Sequence, residues 1–136
     1  MAKTGFIGTG NMGYAILKGL LKIYSQDELM ITDANKDKRQ QVSQETGVAA
    51  AEDNETLAKS VKYIVLAVKP QYYGAVLKDI APVVTKEQVI ISIAPGITID
   101  DLKKELGDDK RIVRAMPNTP ALIGEGMTGV CYDRQL

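Results

Sequence analysis

Histidine is absent from the 136 residues of this chain, and Cys131 is the single cysteine. Without an imidazole there is no histidine general base, no Ser-His or Cys-His nucleophile pair and no zinc site that needs a histidine ligand. One thiol forms no intrachain disulfide, which suits a reducing compartment. These absences remove several of the commonest catalytic arrangements, and we predict no metal site.

An excess of charge of one sign and long apolar runs are also lacking. Seventeen Lys and Arg residues balance seventeen Asp and Glu residues, which gives no reason to expect nucleic acid or an anionic membrane surface as a partner. The N-terminus has no signal-peptide pattern, and no apolar run approaches the ~18 residues that span a bilayer. A length of 136 residues with 45% apolar content suits one globular domain. We therefore expect a soluble, cytoplasmic, single-domain chain.

Short apolar segments alternate with longer helical segments along the chain. The apolar segments predict strands at 4–8, 29–32, 48–50, 63–68, 89–93 and 111–116, with a further strand at 128–132. Helix signals lie between them, among them Asp53 as an N-cap, Gly47 as a C-cap and a capping box of Thr98 with Asp101. This alternation predicts an α/β fold, a doubly wound and mostly parallel Rossmann sheet with helices on both faces. Ligands of such sheets lie beyond the carboxyl ends of the strands.

Three of the predicted helices have apolar stripes, and the stripe behind the capping box consists of Ile99, Leu102 and Leu106. The first stripe consists of Met12, Ala15, Ile16, Gly19, Leu20 and Ile23, at helical spacings of three and four. Another consists of Val76, Leu77 and Ile80, and we expect the preceding Tyr72 and Tyr73 to lie on a helix surface. No basic patch accompanies these tyrosines that would indicate nucleic-acid binding.

A glycine motif, G-x-G-x-x-G, follows the first strand and begins the first helix, in the segment Gly8-Thr9-Gly10-Asn11-Met12-Gly13. Gly8 permits a tight turn, Gly10 lets the backbone approach a pyrophosphate, and Gly13 lets the helix pack against the strand. The free N–H groups at the helix start then bind the phosphates. This context favours a dinucleotide-binding loop over the alternative of a glycine-rich turn without a ligand.

Asp33 lies 20 residues after Gly13, at the end of the second strand. A carboxylate there binds the adenine ribose 2′-hydroxyl and favours NAD over NADP. Asn35, Lys36 and Lys38 follow, however, and are able to meet a 2′-phosphate. Asp33 is alternatively the N-cap of the next helix. These residues leave the choice of cofactor open.

Three further loops follow strands and are candidates for the ligand cleft. Ala67-Val68-Lys69-Pro70 follows the fourth strand, where Pro70 keeps Lys69 out of the helical region and suits a helix start. Lys69 is either a phosphate or ribose contact or a solvated charge. The segments Ser92–Gly96 and Arg114–Pro120 are either walls of the cleft or structural turns; in the second, Asn118 and Thr119 stand between two prolines and are suited to orient a small ligand.

The segments GFIGTGNMGYAILKGLL, LAVKP at 66–70, SIAPG at 92–96 and RAMPNTPALIGEGMTGV at 114–130 resemble pyrroline-5-carboxylate reductases. The resemblance covers the whole chain but only the first half of a family member. It implies reduction of Δ1-pyrroline-5-carboxylate to L-proline with NADPH or NADH, the last step of proline biosynthesis. It also implies a helical C-terminal domain that is absent from residues 1–136, forms the homo-oligomer and supplies most of the substrate pocket, so we expect this chain to be a fragment.

The resemblance also implies roles for individual residues. Gly8, Gly10, Asn11 and Met12 would contact the pyrophosphate, and Asn54 would reach the adenosine side. Ala67, Val68, Lys69 and Pro70 would line the cofactor, with Ala94 near the nicotinamide. By their position in the sequence rather than by the resemblance, Thr9, Asp33, Asn35 and Lys36 are further candidate cofactor contacts. Met116, Pro117 and Asn118 would form a wall of the substrate site, with no catalytic proton donor in this chain. Two departures from the family pattern are Asp33, which puts a preference for NADPH in doubt, and Pro95, where the family usually has a small residue.

Two alternatives belong to other functional classes. A stand-alone module that binds a dinucleotide without catalysis fits a chain that has no catalytic acid. Another small Rossmann reductase, such as one that uses a deazaflavin donor, fits the glycine motif, although the Met116–Pro120 segment speaks against it.

Overall fold

The computed structural model describes residues 3–93, 96–114 and 131–132, with Asn11, Cys131 and Tyr132 described by their backbone alone. The strands of this part are β1 (Thr4–Ile7), β2 (Leu29–Thr32), β3 (Ala49–Ala50), β4 (Tyr63–Leu66), β5 (Val89–Ser92), β6 (Arg111–Arg114) and β7 (Cys131–Tyr132). Its α-helices are α1 (Asn11–Leu20), α2 (Lys36–Thr46), α3 (Asn54–Ser60), α4 (Tyr73–Ile80) and α5 (Ile99–Leu106). Short 3-10 turns cover Gln26–Glu28 and Pro70–Tyr72.

The strands form one sheet in the order β3-β2-β1-β4-β5-β6-β7. Strands β1 to β6 are parallel, and β7 pairs antiparallel with β6. The predicted doubly wound, mostly parallel Rossmann sheet is therefore confirmed. The order reverses between β1 and β4, the topological switch point beyond which such sheets bind ligands. Of the two last predicted strands, the parts at 115–116 and 128–130 lie outside the described residues.

Two apolar clusters cover the two faces of the sheet. Helices α1 and α2 pack on one face, where Ile16 and Leu17 meet Phe6 and Ile31. Helices α3, α4 and α5 pack on the other face. Because both faces are covered near the switch point, strands such as β4 are apolar without alternation, which explains their appearance in the sequence.

Local signals set most helix ends where the sequence predicts them. Gly47 ends α2 in the left-handed conformation, at φ +76°, which a glycine adopts without strain. Asp53 accepts a hydrogen bond from the Thr56 N–H at 2.7 Å and caps α3. The capping box of Thr98 and Asp101 begins α5. Within the described residues, no helix is both long enough and apolar enough to cross a bilayer.

The structure departs from the predicted helix faces at two places. The apolar stripe of α1 is not buried at its ends, since Met12 is 40% exposed and Ile23 is 59% exposed. Helix α1 ends at Leu20, before Ile23, and Leu17, which is not part of the predicted stripe, is fully buried. Tyr73 was expected on a helix surface but is buried, at 3% exposure, whereas its neighbour Tyr72 is exposed.

Candidate functional site

The glycine turn after β1 is tightly packed at two of its three glycines. Gly8 has φ +99°, and a Cβ there would lie 2.9 Å from the backbone of Ala67 and 2.8 Å from the Val68 side chain. A Cβ on Gly13 would lie 2.6 Å from the Gly8 carbonyl oxygen. The predicted needs for a tight turn at Gly8 and for close helix packing at Gly13 are thereby confirmed.

Gly10 differs from both, because a Cβ there would meet nothing within 4 Å. Its φ of −68° is open to any residue, so neither packing nor backbone conformation requires a glycine. Gly10 is also the N-cap position of α1 and has no side chain to satisfy the first N–H groups of the helix. The turn therefore offers bare backbone and unsatisfied donors next to open space, which is the arrangement that a pyrophosphate needs.

Asp33 connects this turn to the end of β2. One carboxylate oxygen, Oδ2, accepts from the Thr9 N–H at 2.8 Å and from the Thr9 hydroxyl at 2.7 Å. The other, Oδ1, accepts from the Asn35 N–H at 2.9 Å. The alternative that Asp33 is the helix N-cap is wrong, because Asn35 caps α2 through the Lys38 N–H at 3.1 Å. Asp33 closes the turn that precedes this cap.

A groove of about 480 Å³ extends from Thr9 and Gly10 along the facing sides of α1 and α2. Asn35 and Lys38 line it at the end near the glycine turn. The structure thus brings Thr9, Gly10 and Asn35, three of the predicted cofactor residues, to one place.

At its other end the groove is closed by a contact between the two helices. The Tyr14 hydroxyl donates to Glu45 Oε2 at 2.7 Å. This bond lowers the pKa of Glu45, because the hydroxyl stabilises the ionised carboxylate. It raises the pKa of Tyr14, because the hydroxyl loses the bond when it gives up its proton. The Lys18 ammonium lies 5.6 Å from the centre of the Tyr14 ring.

The loop after β4 forms the opposite side of the crevice. The Ala67 N–H donates to the Ile7 carbonyl at 2.8 Å, which holds this loop against the end of β1. Lys69 is extended, at φ −64° and ψ 150°, and Pro70 begins a 3-10 turn. The predicted effect of Pro70 on the backbone is confirmed. The Lys69 side chain is exposed at the end of this loop.

Tyr73 fastens the ends of β4 and β5 together beneath this loop. Its hydroxyl lies 2.9 Å from the Leu66 carbonyl oxygen and 2.9 Å from the Ser92 hydroxyl. Ser92 is fully buried. Sequence reasoning missed this pair, although a signal was present: Tyr73 precedes Val76, Leu77 and Ile80 by three, four and seven residues and so shares their helical face.

The remaining predicted residues are placed less informatively. The Asn54 amide donates to Asp79 on α4 at 3.1 Å and is half-buried at the start of α3. Lys36 is exposed in the first turn of α2, and Met12 is exposed in the first turn of α1. The Asn11 side chain lies outside what the structure describes, as do Ala94, Met116, Pro117 and Asn118.

Comparison with known proteins gives a family for this arrangement. A family model described as NADP oxidoreductase, coenzyme F420-dependent, matches residues 3–96, which is more than half of the chain. The chain belongs to this family. The matched part of this NADP oxidoreductase family member contains the glycine turn, Asp33 and the loop after β4.

The relatives that match nearly the whole chain include pyrroline-5-carboxylate reductases. The enzyme of Escherichia coli K12 is 42% identical over 130 residues, 94% of this chain and 48% of that one. The solved structure from Coxiella burnetii has a TM-score of 0.87 at 34% identity and covers 99% of this chain and 51% of that one. The Plasmodium falciparum reductase with NADP bound has a TM-score of 0.84 at 34% identity, over 99% of this chain and 49% of that one.

The resemblance to pyrroline-5-carboxylate reductases that the sequence motifs indicate is thereby confirmed. The chain spans about half the length of the relatives it matches.

Proposed function

We propose that this chain is the dinucleotide-binding part of an NADH- or NADPH-dependent pyrroline-5-carboxylate reductase, which reduces Δ1-pyrroline-5-carboxylate to L-proline. The observation that carries the proposal is the bare backbone at Gly10, open to the crevice and flanked by two glycines that packing requires. It lies at the switch point of the sheet, where dinucleotides bind in this fold. The similarity to pyrroline-5-carboxylate reductases over nearly the whole chain supports the substrate.

In this proposal the first turn of α1 and the glycine turn hold the pyrophosphate through backbone N–H groups. Asp33 lies at the adenine ribose, and the loop after β4 lines the opposite side of the bound dinucleotide. The bound dinucleotide would supply the hydride. The chain binds and orients the dinucleotide, and none of the residues assigned here reacts with the substrate. The residues assigned to these roles are Gly8, Thr9, Gly10, Asn11, Met12, Asp33, Asn35, Lys36, Asn54, Ala67, Val68, Lys69, Pro70 and Ala94.

The substrate side of the proposal rests on the family resemblance. Met116, Pro117 and Asn118 form one wall of the substrate site, and a helical domain of the longer protein supplies the rest of the pocket, the proton donor to the imine and the homo-oligomer contacts. We propose a cytoplasmic enzyme with a small-molecule substrate and no nucleic-acid partner, in keeping with the balanced charge of the chain.

Two measurements test the proposal. Titration of the chain with NADH and with NADPH, followed by nucleotide fluorescence or calorimetry, is expected to show saturable binding of at least one. In the intact gene product, oxidation of the nucleotide is expected only when pyrroline-5-carboxylate is added. If the intact gene product shows no such oxidation across a broad pH range, the proposed activity is wrong. If neither the chain nor the intact gene product binds NADH or NADPH, the proposed cofactor site is wrong.

The family description favours one second candidate, a reductase that exchanges hydride between NADP and the deazaflavin coenzyme F420. The same glycine turn would serve it, since the dinucleotide is common to both reactions. Reduction of F420 by NADPH in the presence of the intact gene product, without any effect of pyrroline-5-carboxylate on nucleotide oxidation, would replace the first proposal by this one.

A further inference from the structure

The Asp33 carboxylate is held in one orientation by three donors. Thr9 provides two of them, both to Oδ2, and the Asn35 N–H provides the third, to Oδ1. Thr9 is itself only 1% exposed, so its side chain has little freedom to move away. Hydrogen bonds to a charged acceptor are stronger than those to a neutral one. The glycine turn and the end of β2 are therefore tied together through this carboxylate.

The pattern of donors determines what Asp33 is still able to accept. An ionised carboxylate has about four acceptor positions, two on each oxygen. Thr9 occupies both positions on Oδ2, and Asn35 occupies one on Oδ1, which leaves one open position. A ribose 2′-hydroxyl has a proton to donate there. A 2′-phosphate dianion has none and is repelled by the negative charge.

A competing charge is that of Lys38, which lines the same groove as Thr9 and Gly10. Its ammonium group would attract a 2′-phosphate and so opposes the carboxylate. A carboxylate free to rotate would turn towards this lysine and leave the ribose, which would weaken the discrimination. The two bonds from Thr9 prevent that rotation.

We propose that Thr9 is a positioning residue for cofactor specificity, because its hydroxyl and its N–H hold Asp33 where the carboxylate favours a 2′-hydroxyl over a 2′-phosphate. This inference rests on the proposed dinucleotide site at the glycine turn. It assigns the preference for NADH to a pair of residues, Thr9 and Asp33, of which Thr9 acts through its partner.

The test is the ratio of the dissociation constants for NADPH and NADH, measured by fluorescence titration of the chain. Thr9→Val removes the hydroxyl donor and keeps the backbone N–H. We expect the dissociation constant for NADPH, divided by that for NADH, to fall roughly three-fold, which is the size of effect that the loss of one hydrogen bond produces. Thr9→Ser retains the hydroxyl and is expected to keep the original ratio. If the valine variant does not fold, Thr9→Ala compared with Thr9→Ser isolates the same hydroxyl.

Combination with Asp33→Ser decides whether Thr9 acts through the carboxylate. The double variant Thr9→Val/Asp33→Ser is expected to have the same ratio as Asp33→Ser alone, because no carboxylate remains to be positioned. Lys38→Gln serves as a matched control whose effect on the ratio is opposite, since loss of the ammonium group should weaken the binding of NADPH relative to that of NADH.

Three results would overturn the inference. If Thr9→Val weakens both nucleotides equally, Thr9 only supports the fold of the turn. If Thr9→Val changes the ratio by the same factor in the Asp33→Ser background, Thr9 does not act through the Asp33 carboxylate. If neither the unaltered chain nor the intact gene product binds a nucleotide, the cofactor site itself is wrong and this inference is wrong with it, whereas binding with a ratio insensitive to Thr9 contradicts this inference alone.

Discussion

The two sides of the crevice at the switch point are held together by different chemistry. On the β1–β2 side, the half-buried charge of Asp33 ties the glycine turn to the end of β2 through Thr9. On the β4–β5 side, neutral and buried hydroxyls of Tyr73 and Ser92 tie one strand end to the next. The charge of Asp33 at the rim both stabilises the backbone and interacts with a bound ligand. The buried hydroxyls of Tyr73 and Ser92 only stabilise the backbone. Variants on the first side should therefore alter nucleotide preference, and variants on the second should alter stability.

The largest effect is expected where the two sides touch. Gly8→Ala places a Cβ 2.9 Å from the Ala67 backbone, at a φ of +99° that an L side chain rarely adopts. Steric overlap and backbone strain each cost about 1–3 kcal/mol, so we expect the free energy of unfolding to fall by about 2–6 kcal/mol. Urea denaturation followed by circular dichroism measures it. An unchanged denaturation midpoint would show that the loop after β4 yields easily.

Gly10→Ala is the matched variant two residues away, and its effect should be confined to the ligand. The added Cβ meets nothing within 4 Å, so the denaturation midpoint should match that of the unaltered chain. Dinucleotide binding should be lost, with affinity at least about ten-fold weaker, because the methyl group occupies space that the pyrophosphate needs. Calorimetric titration measures this loss. Unchanged affinity would remove Gly10 from the site, while a lower midpoint would assign it a role in folding.

The next effect is one of preference and belongs to the charged side alone. Asp33→Ser removes the carboxylate and its repulsion of a 2′-phosphate, so the affinity ratio should shift towards NADPH by about ten-fold. Parallel fluorescence titrations with NADH and NADPH measure the ratio. A ratio that stays the same would leave Asp33 with only its structural bonds to Thr9 and Asn35 and would erase the difference between the two sides.

The sequence predicts the fold well wherever neighbours along the chain decide the structure. The limits of β2 are predicted to the residue, and α2 ends where the sequence predicts its C-cap, at Gly47. Strand β4 was predicted two residues too long, since Ala67 and Val68 continue the apolar run beyond the last residue paired with β5. The apolar pattern reports burial, which persists past the end of the strand.

The candidate site was predicted in its residues but not in its contacts. The bond between Thr9 and Asp33 joins positions 24 apart. It depends on the register in which Ile7 lies opposite Thr32, so that both chains leave the sheet at the same level. No local pattern in a single sequence specifies the register between β1 and β2. The burial of Tyr73, by contrast, is encoded locally, in its helical spacing from Val76, Leu77 and Ile80.

The smallest effect on nucleotide binding, and the sharpest check of the comparison, is expected for Tyr73→Phe on the neutral side. The ring remains to fill its buried place, while the hydroxyl that joins Leu66 and Ser92 is lost. Two hydrogen bonds are lost, each with a net worth of about 0.5–1.5 kcal/mol, so the free energy of unfolding should fall by about 1–3 kcal/mol. The ratio of NADPH to NADH affinity should not change, because no charge near the ribose is altered. If this variant shifts the ratio as far as Asp33→Ser does, the two sides are coupled through the sheet, and specificity is then a property of the whole crevice.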